Sequence, residues 1–167
     1  DEAYSDFSGN QSFKNMTDKY PNLIVMQTFS KAFGLAAARI GMAFTNQQIV
    51  KYFNKLKPPY NISSLNQKAA IRQLIKYEKS MDQVRRIIRE RERLKEALGK
   101  LKIVEKIFPS DANFLLVKIR DPDYVYNTLV ERNIIVRNRS RIIPGCLRIT
   151  VGTRSENNRL LTELNRI

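Results

Sequence analysis

The chain has 167 residues, 43% of them apolar and 28% charged, which is the composition of a globular protein. Its 30 Lys plus Arg outnumber 16 Asp plus Glu for a formal charge of +14, and it contains no histidine. The absence of imidazole excludes Ser-His-Asp and Cys-His nucleophile pairs within the chain. With one thiol, Cys146, it also leaves no zinc site and no internal disulfide framework.

Leu23-Ile24-Val25-Met26 is an apolar run of strand length, suited to burial on both faces of a parallel sheet. It runs into the polar stretch Gln27-Thr28-Phe29-Ser30-Lys31, a segment of small residues from Gly34 to Gly41, and a second strand, Met42-Ala43-Phe44-Thr45. Asn46 is a helix N-cap for Gln47 to Leu56, and Pro58-Pro59 stops that helix. From Ser63 to Lys100 the pattern is helical in two pieces, with Ser80 capping the second. Ile87, Ile88, Leu94 and Leu98 give that piece an apolar stripe, and Gly99 suits its end. Phe114 to Val117, Ile134 to Val136 and Leu147 to Val151 read as strands. One helix starts at Asp121-Pro122 and runs to about Arg132, and a last one starts at Ser155-Glu156. The whole is an α/β pattern in two blocks, divided between Ser63 and Ser80.

Much of the positive charge lies in Arg85 to Lys95, where acids alternate with bases and aromatics are sparse. That pattern marks a solvated helix face laced with i,i+4 pairs, so small anions are expected as partners in preference to nucleic acid. No apolar stretch approaches the roughly 20 residues that cross a bilayer. The chain opens on Asp1-Glu2, without an initiator Met and without the basic segment of a signal peptide. The expectation is a piece of a longer, cytoplasmic protein with no membrane partner.

Three places carry potential chemistry. Asp1-Glu2-Ala3-Tyr4 puts a carboxylate where a strand edge would meet a ligand, although acids also cap helices and line turns. Thr28, Ser30 and Lys31, with Arg39 eight residues beyond the lysine, gather hydroxyls, an amine and a guanidinium after a buried strand. Such donors suit a phosphate, and a partly desolvated lysine beside it is a nucleophile. A surface lysine beside a helix start is the plain alternative. Arg137 and Arg148 lie among strand-forming aliphatics, where a guanidinium needs an anion or an exposed face.

The segments Asp1-Glu2-Ala3-Tyr4, Thr28-Phe29-Ser30-Lys31-Ala32-Phe33-Gly34-Leu35-Ala36-Ala37-Ala38-Arg39-Ile40-Gly41 and Gly145-Cys146-Leu147-Arg148-Ile149-Thr150-Val151-Gly152-Thr153 occur in this order. Together they resemble the histidinol-phosphate aminotransferases, a family of fold-type I pyridoxal-phosphate enzymes. The resemblance runs over essentially all 167 residues and about the C-terminal half of such an enzyme. It implies a partial large-domain sheet over residues 1–63 that belongs to the cofactor domain. Connecting helices follow over 64–100, and a small C-terminal α/β domain over 101–167.

By motif, Lys31 matches the lysine that attaches to pyridoxal 5'-phosphate and later moves the proton. Asp1 matches the carboxylate that keeps the pyridine nitrogen protonated. Tyr4 matches the tyrosine near the phenolic oxygen, and Ser30, Arg39 and more weakly Thr28 match ligands of the cofactor phosphate. Arg148 matches the substrate α-carboxylate arginine, Arg137 the reader of the substrate phosphate, and Asn113 an asparagine near the site. Ala37 departs from the pattern, standing where a second glycine is common. The implied reaction transfers an amino group between histidinol phosphate and 2-oxoglutarate, with glutamate as the product and a homodimer as the assembly. A threonine-phosphate decarboxylase of the same superfamily, or a non-catalytic basic binding module, are the competing readings.

Overall fold

The structure, a computed structural model, describes residues 1–167 and divides into two compact units, Asp1–Val84 and Arg85–Ile167. In the first, strands β1 (Val25–Thr28) and β2 (Gly41–Phe44) pair antiparallel, with Val25 opposite Phe44 and Thr28 opposite Gly41. Strand β1 therefore starts two residues later than the apolar run suggests. Of its residues Val25 is buried, while Met26 is 51% exposed. The expected burial on both faces is not what this chain shows. All the chain's strand pairings are antiparallel, and a paired ribbon of two strands presents alternate residues to opposite faces with cover on one only.

Helix α1 (Gln47–Leu56) begins where Asn46 is expected to cap it, the Asn46 side chain accepting the Ile49 N–H at 3.0 Å. Helix α2 (Ser64–Ile75) is capped by Ser63, and α3 (Tyr77–Leu98) follows after a break at Lys76. Ser80 is not the cap of α3. It lies buried inside the helix, accepting from Gln73 Nε2 at 2.9 Å and donating to the Lys76 carbonyl at 3.3 Å. Its hydroxyl is consumed by local bonds, so it does not end a helix. The two compact units divide inside the continuous α3, beyond the interval from Ser63 to Ser80.

The second unit is a four-stranded antiparallel sheet in the order β3 (Val104–Ile107), β4 (Phe114–Ile119), β6 (Cys146–Thr150), β5 (Arg137–Asn138). Leu115, Val117 and Ile119 of β4 and Leu147 and Ile149 of β6 form one cluster with Leu94 and Leu98 of α3. Helices α4 (Pro122–Glu131) and α5 (Arg154–Leu164) add Val125, Leu129, Leu160 and Leu164 to it. Each such side chain contributes roughly 1.5–3 kcal/mol by leaving water. The expected stripe on α3 is real, with Leu94 and Leu98 at 0% exposure and Ile87 and Ile88 half-buried.

Three details differ from the sequence reading. Strand β3 went unread because Val104-Glu105-Lys106-Ile107 is short and half charged. Ile134 to Val136 precede the strand instead of forming it, because the Ile134 N–H bonds the Leu129 carbonyl at 2.8 Å and closes the end of α4. Helix α5 is capped by Thr153 through a reciprocal bond pair with Glu156, one turn element earlier than Ser155 implies. The basic run does carry ion pairs along α3 and just past it, Glu90–Arg93, Glu92–Lys95 and Glu96–Lys100. No helix is long and apolar enough to cross a membrane.

Candidate functional site

In the first unit the candidate residues sit on the loop between β1 and β2 and on the segment beside β1. The loop is folded back on itself: the Phe29 N–H bonds the Ile40 carbonyl at 3.2 Å and the Leu35 N–H bonds the Phe29 carbonyl at 2.9 Å. Gly34, at φ +67°, supplies the left-handed turn this requires. Phe29 and Phe33 are buried under the loop with their rings 5.1 Å apart, and Phe33 meets Tyr77 at 6.2 Å. The apolar underside leaves the polar side chains on the outside. Thr28 donates to the Ile40 carbonyl at 3.3 Å and accepts the Ser30 N–H at 3.1 Å, so its hydroxyl clasps the loop. The Lys31 ammonium lies 5.1 Å from the centre of the Tyr4 ring. Arg39 takes a left-handed conformation at φ 53° and donates from Nη1 to the Ala36 carbonyl at 3.1 Å. Ala37 is exposed in the turn Ala36–Ala38.

The segment bearing Asp1 and Tyr4 is held by Glu2, which the sequence reading passed over. The Glu2 N–H donates to the Met26 carbonyl at 2.8 Å. Its carboxylate accepts from Ser12 Oγ at 2.6 Å, the Phe13 N–H at 2.8 Å and Gln27 Nε2 at 3.0 Å. Burial works against its ionisation, but these hydrogen bonds together outweigh it and hold the carboxyl below its ordinary range. The available signal was Gln27, an amide inside an otherwise apolar strand. Asp1 itself is exposed, with Oδ1 accepting the Ala3 N–H at 2.9 Å.

In the second unit, Arg137 of β5 stands directly opposite Arg148 of β6. Directly opposed residues project from the same face of a sheet, with their Cβ atoms about 5 Å apart. Two guanidiniums placed this way repel each other unless an anion joins them. Arg148 Nε is buried and has no hydrogen-bond partner, and its guanidinium carbon lies 5.0 Å from the centre of the Phe114 ring. Asn113 is half-buried just before β4, its carbonyl accepting the Val151 N–H at 2.9 Å.

A sequence model described as aminotransferase class I and II matches residues 1–164. The chain belongs to this family. It is 49% identical over 166 residues to a histidinol-phosphate aminotransferase of Cytophaga hutchinsonii, covering 98% of this chain and 48% of that protein. Among solved structures, the histidinol-phosphate aminotransferase of Clostridium acetobutylicum matches with a TM-score of 0.88 at 25% identity, over 99% of this chain and 52% of that one. The Sinorhizobium meliloti enzyme of the same name, in complex with pyridoxal-5'-phosphate, matches with a TM-score of 0.77 at 26% identity, over 99% and 47%. The L-threonine-O-3-phosphate decarboxylase of Porphyromonas gingivalis shares the fold, with a TM-score of 0.86 at 23% identity. The chain spans about half the length of the curated relatives it matches.

For an aminotransferase of this family, the donor set in the first unit fits a phosphorylated aldehyde cofactor. It offers an amine on an aromatic ring, a loop hydroxyl at Ser30 and a guanidinium at Arg39, and neither Lys31 nor Arg39 is ion-paired with a carboxylate. The second unit contributes a residue hidden in the basic run. Arg91 is 6% exposed, in phase with Ile87, Leu94 and Leu98, and a charged residue on an apolar stripe was the signal for it.

Proposed function

We propose that the protein is a pyridoxal-phosphate-dependent aminotransferase that transfers the amino group of histidinol phosphate to 2-oxoglutarate, working in the cytoplasm as a homodimer. The observation that carries the reading is the Lys31 amine over the Tyr4 ring, on a loop whose donors suit a phosphate. The names of the relatives supply the substrate class.

When bound, the cofactor supplies an electrophilic carbon for amines and a protonated ring that withdraws electrons. Ser30 and Arg39 would hold its phosphate, and the Thr28 hydroxyl, already bonded to the Ser30 N–H, keeps the loop in shape for them. Asp1 would face the ring nitrogen and Tyr4 the phenolic oxygen, with Glu2 pinning both against β1. Lys31 would provide the attachment point and, once displaced, carry the proton to and from the substrate carbon. Arg148 would bind the carboxylate of glutamate in a bidentate pair. Histidinol phosphate carries no carboxylate, so in that half of the reaction Arg148 and Arg137 would share its phosphate.

The test is to supply the natural protein with pyridoxal phosphate and assay glutamate formed from histidinol phosphate and 2-oxoglutarate. Glutamate formation supports the proposal. Carbon dioxide released from O-phosphothreonine, without glutamate, replaces it with the decarboxylase reading. Salt-sensitive DNA binding with neither product makes the chain a basic binding module.

A further inference from the structure

The second unit contains a buried cation that the proposed chemistry does not use. The Arg91 guanidinium is enclosed, and Nη1 donates to the Ala112 carbonyl at 2.9 Å while Nε donates to Glu92 at 3.0 Å. Burying a guanidinium is costly unless its hydrogen bonds are well made, so this one fixes whatever it bonds. What it bonds is the turn that leads into β4. Within that turn the Ser110 hydroxyl donates to the Phe114 carbonyl at 2.5 Å and accepts the Ala112 N–H at 3.2 Å. The turn thus has two clasps, one internal at Ser110 and one from helix α3 at Arg91.

The residue delivered by the turn is Phe114. In the register, Phe114 faces Thr150 and Leu116 faces Arg148, so Phe114 is the diagonal neighbour of Arg148 on the same face of the sheet. Diagonal neighbours are within reach of each other when one is aromatic and the other long. The Arg148 guanidinium lies over the Phe114 ring, 5.0 Å from its centre. A ring face attracts a guanidinium and leaves its edge N–H groups free for an anion. With Nε buried and unbonded, the ring is the contact that sets the plane of Arg148.

The geometry points to Arg91 as a positioning residue for the Arg148 anion site, acting through the Ala112 carbonyl and the Phe114 ring. It resists rotation of the turn and so holds the ring under the guanidinium. The inference rests on the proposal that Arg148 binds the substrate anion, and adds the device that aims it.

The experiment compares Arg91→Met, Phe114→Leu and the double variant in the natural protein, reading KM and kcat for glutamate and the Arg148 Nε–H resonance by NMR. Arg91→Met removes the donors and keeps much of the volume. It is expected to raise KM about five- to tenfold, the effect of one weakened charge-assisted contact, with kcat within about twofold. The Arg148 resonance shifts. Because Arg91 acts through Phe114, the double variant is no worse than Phe114→Leu alone. Arg91→Lys, which keeps one donor, restores part of the loss and serves in place of Arg91→Met if that variant does not fold.

An Arg91 variant that lowers the melting temperature but leaves KM and the Arg148 resonance unchanged overturns the inference, as does a strictly additive double variant. If the wild-type protein turns over no glutamate, the proposed function fails on its own. The resonance comparison then still decides whether Arg91 sets Arg148.

Discussion

In the second unit the sheet and three helical faces enclose one cluster in which Leu94, Leu98, Leu115, Val117, Leu129 and Leu147 are all 0% exposed. In the first, a two-stranded ribbon covers a smaller set around Phe7, Val25, Phe29 and Phe33. Large apolar side chains such as Phe13, Met26, Leu56, Tyr60 and Leu65 stand in solvent there. The second unit shows few of these, namely Tyr124, Val130, Ile135 and Ile142. The difference follows from sheet size. Four strands backed by helices remove a whole face from water, whereas a ribbon of two strands is marginal by itself. The unit with the weaker core carries the loop of chemical donors, and the unit with the stronger core carries the opposed arginines. The chemistry and the stability of this chain are therefore separable by mutation.

The largest effect should come from Lys31→Ala. Turnover measured as glutamate formation is expected to fall by more than about a thousandfold, since no other amine replaces an attached nucleophile. The thermal unfolding midpoint should stay put, because the Lys31 side chain makes no core contact beyond the Tyr4 ring. Substantial turnover would remove Lys31 from the mechanism. Leu115→Ala should do the opposite. A cavity under β4 costs about 2.7–5 kcal/mol, which urea unfolding would detect as a lower midpoint for the second unit, with kcat per folded molecule preserved. An unchanged midpoint would mean that the cluster is not the unit's core.

Arg137→Ala sharpens the comparison within the second unit. It should weaken histidinol phosphate about tenfold more than glutamate, the worth of one charged hydrogen-bonded contact. Equal losses in the two KM values would end its role as the reader of the phosphate. Thr153→Ala removes the α5 cap and should cost about 1 kcal/mol without altering KM.

The smallest effect is on pH dependence. Hydrogen bonds from Arg93 and then Asn157 outweigh burial and hold Glu90 below its ordinary value of 4.5. A carboxyl depressed in the folded state stabilises fully above its unfolded pKa, and that contribution fades as pH falls below 4.5 through the folded value. Glu90→Gln should therefore flatten the acid limb of stability in the second unit, read as melting temperature against pH. An unchanged slope would exclude Glu90 from it.

Local chemistry was readable because it depends on neighbours in the chain. Asn46 as a cap, the stop at Pro58-Pro59, the α3 stripe at Leu94 and Leu98, and the motif around Lys31 and Arg39 all follow from residue type at short spacing. Strand β3 was not readable, since Val104-Glu105-Lys106-Ile107 becomes a strand by pairing with β4. Ser80 looked like a cap because a hydroxyl near a helix start often is one, yet Gln73, seven residues earlier, claims it.

The sequence by itself determined the family, the identity of the amine, hydroxyls and guanidiniums, and the order in which they occur. Only the tertiary structure decided that Arg137 faces Arg148, that Glu2 ties the first residues to Gln27, and that Arg91 reaches the turn before Phe114. The reason is physical. Register, cross-strand neighbours and buried hydrogen bonds join residues far apart in the chain. Their energies depend on sheet pairing and desolvation, which no local spacing encodes.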